Sequence, residues 1–420
     1  MKKVLLIASV LLSINLYSQR NLDYYLGKAA ENNPALIEMK NQFFINDLQK
    51  QLLFSQNSGI HISLSGNVTV TPYFNNSRGL ITTNPDPNAI GYDIGLFNGG
   101  LYSAQLNFDK NIFNGAALNA YEKQQNILNE SSKNNIALKK RELAKQITDM
   151  YLHAYLSFQL YRLSSETLNY MNDQLEILSG LVKNGTARQS DYLLLSIEKD
   201  NQALAGEEYL IQYKGNLIEL NTLCGINDTS VIELEPASLQ IKENSGYIEL
   251  TRKFELDSLA LINQMQLFET KYEPQVSLFF NMGLNAVELN NIQRKFGMSA
   301  GINFSLPIYD GSQRLITEQQ NQISIQTIQS YKKNAVMEIF NQQRNSVISL
   351  ENYRKALVNY SKQIERYKTV IDMAVSEMQR GQKSVIDFLS LLKNYTELKK
   401  SKINSDINYQ LEINNYNYWN

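Results

Sequence analysis

The sequence predicts a mixed α and β membrane protein with an internal two-fold repeat. Each subunit gives four strands to a shared β-barrel and carries two long coiled-coil helical hairpins. Three observations point there: landmark motifs recur at one offset around helical segments of unusual length, four segments alternate apolar and polar residues as half-buried strands do, and the N-terminus reads as an export signal.

The repeat comes first, because it halves the problem. "IFNG" (Ile112 to Gly115) and "IYDG" (Ile308 to Gly311) lie 196 residues apart, and so do "NGTARQSD" and "RGQKSVID", aligned on the expected hairpin turns Gly185 and Gly381. Two landmarks sharing one offset indicate duplication. The chain therefore divides into a signal peptide over 1–18, a first repeat over 19–229, an equatorial connecting segment over 230–251 and a second repeat over 252–420.

In chain order, "MKKVLLIASVLLSINLYSQ" has two lysines, an apolar run from Val4 to Leu12, then small and polar residues, the pattern of a secretory signal cut after Ser18. That run is too short to span a bilayer, and no later run reaches transmembrane length. A membrane location would then require a β-barrel. In "NNPAL", Asn33 is the expected N-cap and Pro34 the first residue of a helix running to about Phe54. Arg252 to Lys271 holds the same place in the second repeat.

The strands follow. "GIHISLSGNVTVT" puts Ile60, Ile62, Leu64, Val68 and Val70 on one face and His61, Ser63, Ser65, Asn67, Thr69 and Thr71 on the other. In "PQVSLFFNMGL", Val276, Leu278, Phe280, Met282 and Leu284 share a face. A further strand precedes each long helix, with Ala104, Leu106 and Phe108 apolar in the first repeat and Met298, Ala300, Ile302, Phe304 and Leu306 in the second. Each repeat thus contributes an alternating hairpin. Four strands cannot close a barrel alone, and a soluble sandwich, which would alternate too, lacks a partner layer in a chain otherwise committed to helices. A barrel pooled from several subunits resolves this, with the apolar face toward lipid, the polar face toward an aqueous lumen, and no edges left. Three subunits give twelve strands.

Two segments, Ala116 to Ser179 and Ser312 to Arg380, run 64 and 69 residues without Gly or Pro. As helices each reaches about 100 Å. In the second, Leu350, Tyr353, Leu357, Tyr360, Ile364, Tyr367, Ile371, Ala374 and Met378 keep a 3,4 spacing, answered in the first by Tyr161, Leu168, Met171, Leu175, Leu178 and Val182. Such a narrow seam packs against another helix. Gly185 and Gly381 should end the long helices. Helices from Asp191 to about Leu223, and from Val385 to about the C-terminus, then return antiparallel. "SVIELEP" (Ser230 to Pro236) reads as a short strand.

Composition narrows the chemistry. A net charge of -1, with no long Lys/Arg run, argues against a nucleic-acid partner. Cys224 is the only cysteine, so no intrachain disulfide is available and a small buried side chain is expected. His61 and His153, the only histidines, lie far apart on a strand's polar face and a helix surface, which gives no metal site. Without a phosphate loop, a nucleophile elbow or a histidine beside a nucleophile, no catalytic residue and no cofactor is expected.

The order of parts, with "ENNPAL", "SLPIYDGSQR", "NGTARQSDYLLLSIEKDNQA" and "RGQKSVIDFLSLLKNYTELKKSKINSDINYQLEINNY", resembles the TolC family of outer-membrane efflux proteins over essentially the whole mature chain. The resemblance implies a homotrimer: a twelve-stranded barrel in outer-membrane lipid, continued by an α-helical coiled-coil tunnel across the periplasm. It implies docking onto a periplasmic adaptor joined to an inner-membrane transporter, and passive exit of small molecules. It also implies a periplasmic constriction at Asp387, where three copies would form an acidic ring, and at Ser390, where the family carries a second acid. Tunnel-closing links fall on Lys383, Ser190 and Asp191, and Met378 stands where the family sometimes has tyrosine. The residues alone leave another role open for Asp191 and Asp387, since an acid in a helix's first turn is favoured by the dipole. Two further readings stay open. The exit duct of a type I protein secretion system uses the same tube, whereas a periplasmic coiled-coil adaptor should have one hairpin between short β-rich domains.

Overall fold

In a computed structural model of the chain, the described residues are 20–75, 81–82, 87–92, 100–113, 115–242, 247–287, 289–380 and 382–420. The expected signal peptide and Gly381 lie outside them, as does much of the Tyr73 to Gly100 loop. The elements are α1 (Leu22–Asn32), α2 (Pro34–Ser58), β1 (His61–Val70), β2 (Tyr73–Phe74), β3 (Ile81–Thr82), β4 (Gly100–Phe113), α3 (Gly115–Lys183), α4 (Gln189–Leu223), α5 (Tyr247–Glu269), β5 (Gln275–Ala286), β6 (Phe296–Ser305), α6 (Gln313–Gln379) and α7 (Val385–Trp419). No described helix is long and apolar enough to cross a membrane.

Local chemistry accounts for the boundaries. The Asn33 side chain accepts the N–H groups of Ala35 (3.0 Å) and Leu36 (3.4 Å), so α2 starts at Pro34 as its cap dictates. It outlasts the expected end at Phe54, because Asn57 and Ser58 return their side chains to the carbonyls of Leu53 and Phe54 instead of opening a turn. Helix α5 starts at Tyr247 rather than Arg252. Helix α1 is an element the sequence reading lacked. Asn21 caps it by accepting the Tyr24 N–H at 3.0 Å, and it buries Tyr25 and Ala29, one turn apart.

The chain divides into two compact units. One comprises Met1–Lys40, Asn134–Lys253 and Tyr331–Asn420, as far as these are described. Its larger core joins Tyr25, Leu36, Leu143, Ile147, Tyr151, Tyr213, Leu217, Leu220, Cys224 and Leu234. Burial pushes the Cys224 thiol up to about 12, so it is an inert packing group. The expected strand over Ser230 to Pro236 does not form. Tyr151 and Tyr213 donate their hydroxyls to the carbonyls of Glu235 (2.7 Å) and Ile232, which takes acceptors a strand partner would need. Only an isolated parallel bridge, Arg20 with Leu234, remains. Arg20 also pairs with Asp228 at 2.6 Å, and the Asn221 side chain donates to the Asp228 carbonyl at 2.6 Å.

The heptad seam of α6 is buried or half-buried at every expected position from Leu350 to Met378, and most of the residues between them are exposed. In α3 the buried stripe is wider than the seam and includes Leu163, Ser164, Thr167 and Gln174. Ser164 explains part of the difference, since its hydroxyl donates to the Gln202 carbonyl of α4 (3.0 Å) opposite Gly206.

The other unit comprises Asn41–Lys133 and Phe254–Ser330. Its helical part is tied by polar contacts. Lys50 of α2 pairs with Glu122 of α3 (2.9 Å), and fully buried Asn263 of α5 donates to the Ala120 carbonyl (2.9 Å). Its sheet runs antiparallel in the order β1-β4-β5-β6. Each repeat's hairpin is present, and β4 with β5 joins the two repeats. Gly283 permits that junction: its φ is 154, and an added Cβ would sit 2.2 Å from the Ala104 carbonyl oxygen.

Asp228 makes the knot around Arg20 pH-sensitive. The Ser230 N–H, then the Ser230 hydroxyl and the Arg20 guanidinium, hold its carboxyl at about 2, below the ordinary 3.8. A depressed folded value contributes stability that is present above about pH 4 and lost as pH falls through about 2. Thermal unfolding followed across that window should show an acid-labile step in the native protein that is weakened in Asp228→Asn. Identical profiles would remove Asp228 from the account.

Candidate functional site

Two places in the molecule have no structural purpose in an isolated chain: the sheet faces, and the turns of the long hairpins. In the sheet, register puts like with like. Across the four strands run the rows Ile62–Phe108–Phe280–Ala300, Leu64–Leu106–Met282–Met298 and Gly66–Ala104–Leu284–Phe296. The alternate rows are Ser63–Asn107–Asn281–Ser299 and Ser65–Gln105–Gly283–Gly297. Directly opposed residues share a face, so one face is mainly apolar and the other mainly polar, with Phe279 on the polar side between Asp109 and Gly301. Phe108 and Phe280 meet in a tilted arrangement with centroids 5.7 Å apart, and Asn107 donates to the Ser65 hydroxyl at 2.7 Å. The apolar face is bare in the chain, with Leu64 78% and Met298 70% exposed. Strands β1 and β6 each have one partner among the described residues, which leaves two open edges. Lys110 sits on the apolar side opposite Leu278, close to where β4 hands over to α3; its long stem can follow the apolar surface while its charge reaches water.

At the first hairpin turn, Gly185 has φ 73, its N–H reaches the Val182 carbonyl (3.0 Å), and the Thr186 N–H reaches that of Leu181 (2.9 Å). This is the Schellman closure that glycine favours. Nothing lies within 4 Å of an added Cβ, so conformation rather than space selects glycine. Gly381 lies outside the described residues, yet the Gln382 N–H bonds the Glu377 carbonyl at 2.9 Å, the same bond 196 residues on.

Beneath the turns, all four hairpin helices share one apolar cluster. It is built from Met171, Leu175 and Leu178 of α3, Leu195 of α4, Ile371 and Met378 of α6, and Val385, Phe388 and Leu392 of α7. Met378 is a packing residue here. Its neighbours on α7 alternate in role: Phe388 is fully buried, while Asp387 and Ser390, three apart and so adjacent on the helix, are both exposed. Ser384, not Asp387, caps α7, its hydroxyl accepting the Ile386 N–H at 3.1 Å. Asp387 lies in the first turn with its carboxylate free to face outward. In the other hairpin Ser190 is exposed and Asp191 half-buried in the first turn of α4, where the cap position is Arg188 with no side-chain cap bond. Lys383 pairs with Glu377 of its own hairpin at 3.4 Å, a partner the sequence reading missed. Glu377 lies in the last turn of α6, only four residues before Gly381, so its nearness to a basic residue just past the turn was a signal the sequence held.

Asp310, noted only as part of a landmark, also has work to do. It accepts the Tyr272 hydroxyl (2.6 Å) and the Arg314 N–H (2.8 Å), which hold its carboxyl below the ordinary range and fasten the start of α6 to the chain entering β5.

No protein-family model and no curated protein sequence matches the chain. Solved structures do. The chain is similar to the CmeC outer membrane channel of Campylobacter jejuni (16% identity, TM-score 0.74, covering 96% of this chain and 86% of that one). It is also similar to the outer membrane protein VceC of Vibrio cholerae (13%, 0.72, 95% of each chain) and to the open state of the Neisseria gonorrhoeae MtrE outer membrane channel (14%, 0.70, 95% and 88%). The chain has the fold of these outer-membrane channels.

Phe388 is the largest fully buried side chain of the cluster beneath the tips. Removing a fully buried aromatic costs about 3–5 kcal/mol, so Phe388→Ala should loosen the tips while the sheet persists. Limited trypsin digestion should then cut much faster at Lys183, Arg188, Arg380 and Lys383. Unchanged cleavage would mean the cluster is not what holds the turns.

Proposed function

We propose that the chain is a TolC-family outer-membrane channel, the exit component of a tripartite efflux system. It acts as a homotrimer, a passive duct for small molecules, driven by an inner-membrane transporter through a periplasmic adaptor. The observation that carries this reading is the sheet, with one face apolar except for Lys110 near its helical end, one mainly polar face and two open edges. Placing β6 of one copy beside β1 of the next, three times, closes twelve strands around a hydrated lumen and presents the apolar rows to lipid. The fold shared with outer-membrane channels supports the same assembly.

The division into a signal over 1–18, repeats over 19–229 and 252–420 and a connecting segment over 230–251 is part of this proposal. So are the roles at the tips. Exposed Asp387 in three copies makes an acidic ring that favours cations, with Ser390 beside it adding no charge. Lys383, Ser190 and Asp191 are the closing links. Because Lys383 is held by Glu377 in the single chain, linking to the first hairpin means exchanging one carboxylate for another, a change worth little at an exposed site and therefore easily reversed. The duct makes and breaks no bond. Two strand-preceded hairpins in one chain favour a channel over an adaptor.

Deleting the gene should raise sensitivity to small toxic compounds and leave the set of secreted proteins unchanged. Unchanged sensitivity with a lost secreted protein would instead identify a secretion duct.

A further inference from the structure

The β1–β4 connection holds a second, smaller sheet with two unlike faces. Phe74 of β2 stands opposite Ile81 of β3, and on its other side it exchanges both backbone hydrogen bonds with Ile90 (2.9 Å each). Opposed residues share a face, so Ile81, Phe74 and Ile90 form one apolar row across the β2–β3 ladder and the residue bridged to it. All three are exposed, at 68%, 47% and 62%, and Tyr92, two residues past Ile90, is 69% exposed. The other face is closed. Tyr73 is 1% exposed, its ring lying against Gly91 where an added Cβ would stand 2.4 Å from it.

What covers the open row follows from how the chain reaches it. Strand β1 leaves α2 and runs away from the helices to Val70, and its alternation does not stop there. Val70 is exposed, Thr71 buried, Tyr73 buried and Phe74 exposed. The even-numbered apolar positions Ile60, Ile62, Leu64, Val68 and Val70 are thus followed, across the break between the two sheets, by an exposed even-numbered Phe74. A soluble loop gains nothing by turning its aromatic and β-branched side chains outward and burying its tyrosine and threonine. A loop at the rim of a lipid-facing sheet does, because each apolar side chain moved from water into hydrocarbon contributes about 1.5–3 kcal/mol, and tyrosines gather where hydrocarbon meets water.

We propose that this flap, the β2–β3 ladder with Ile90 bridged to it, is a lipid-docking surface. Its Ile81–Phe74–Ile90 row enters the acyl-chain region of the leaflet on the side away from the helices, with Tyr92 at the boundary, and extends the lipid belt of the barrel beyond the end of β1. The inference rests on the barrel reading above, and its test separates the two. Trp419 is the only tryptophan, so a Trp419→Phe background carrying Leu64→Trp, Phe74→Trp or Ile81→Trp reports one position at a time. Each is reconstituted into vesicles of brominated or of unbrominated phosphatidylcholine, and acrylamide serves as the aqueous quencher. The flap docks in lipid if bromine removes the same fraction of emission from Phe74→Trp and Ile81→Trp as from Leu64→Trp. Quenching of Leu64→Trp alone, with the flap probes quenched by acrylamide, overturns the flap and leaves the barrel. Flap probes shielded from both quenchers would mean protein covers the row, which also overturns it. Loss of bromine quenching at Leu64→Trp would remove the barrel, and the flap with it.

Discussion

An edge strand carries a row of amide and carbonyl groups without partners, and in this protein both edges of the main sheet border a bare apolar face. In water such an edge recruits any strand that fits it. In hydrocarbon every unpaired backbone group costs several kcal/mol. Both environments push the same way, toward pairing β1 of one copy with β6 of another until no edge is left. In the proposed channel the alternating rows become useful once that has happened, since a lumen needs a closed wall and a lipid belt needs a complete circuit. On the proposed reading, stability and function of the strand region are one problem, solved by assembly.

The helical unit is held differently. Around Arg20, Asp228, Tyr151 and Tyr213 the chain is fixed by directional bonds to backbone carbonyls and a short ion pair, which set geometry more than they add energy. At the hairpin tips the cohesion is apolar, through Phe388, Leu178 and their neighbours, while the charged and hydroxyl groups with proposed roles stay outside that cluster. Such a separation lets the outward residues of the tips change partners without unpacking the core, as a reversible closure requires. Lys383, held by one exposed carboxylate, fits that arrangement.

Much of this was legible in the residues. Strand faces and the α6 seam follow from periods of two and three-and-a-half, which the side chains of Ile62, Leu64, Leu350 and Ile371 mark without ambiguity, and Gly185 announces its own turn. What the sequence hid depends on contacts between distant segments. The SVIELEP segment has strand composition, yet hydroxyls from Tyr151 and Tyr213 claim its carbonyls. Helix α1 is short and becomes useful only when Tyr25 meets Tyr151. The cap of α7 falls to Ser384 because a hydroxyl one turn ahead of Asp387 reaches the backbone first. Glu377 becomes a partner of Lys383 only because the turn between α6 and α7 folds the chain back on itself, a contact that helix periodicity does not encode.

Amide hydrogen exchange along the strands of the detergent-solubilised particle tests the closure most directly. If copies pair edge to edge, amides of β1 (His61–Val70) and β6 (Phe296–Ser305) exchange as slowly as those of β4 and β5. Rapid exchange confined to the outward-directed amides of β1 and β6, with β4 and β5 protected, would mean the edges are open and the sheet does not close.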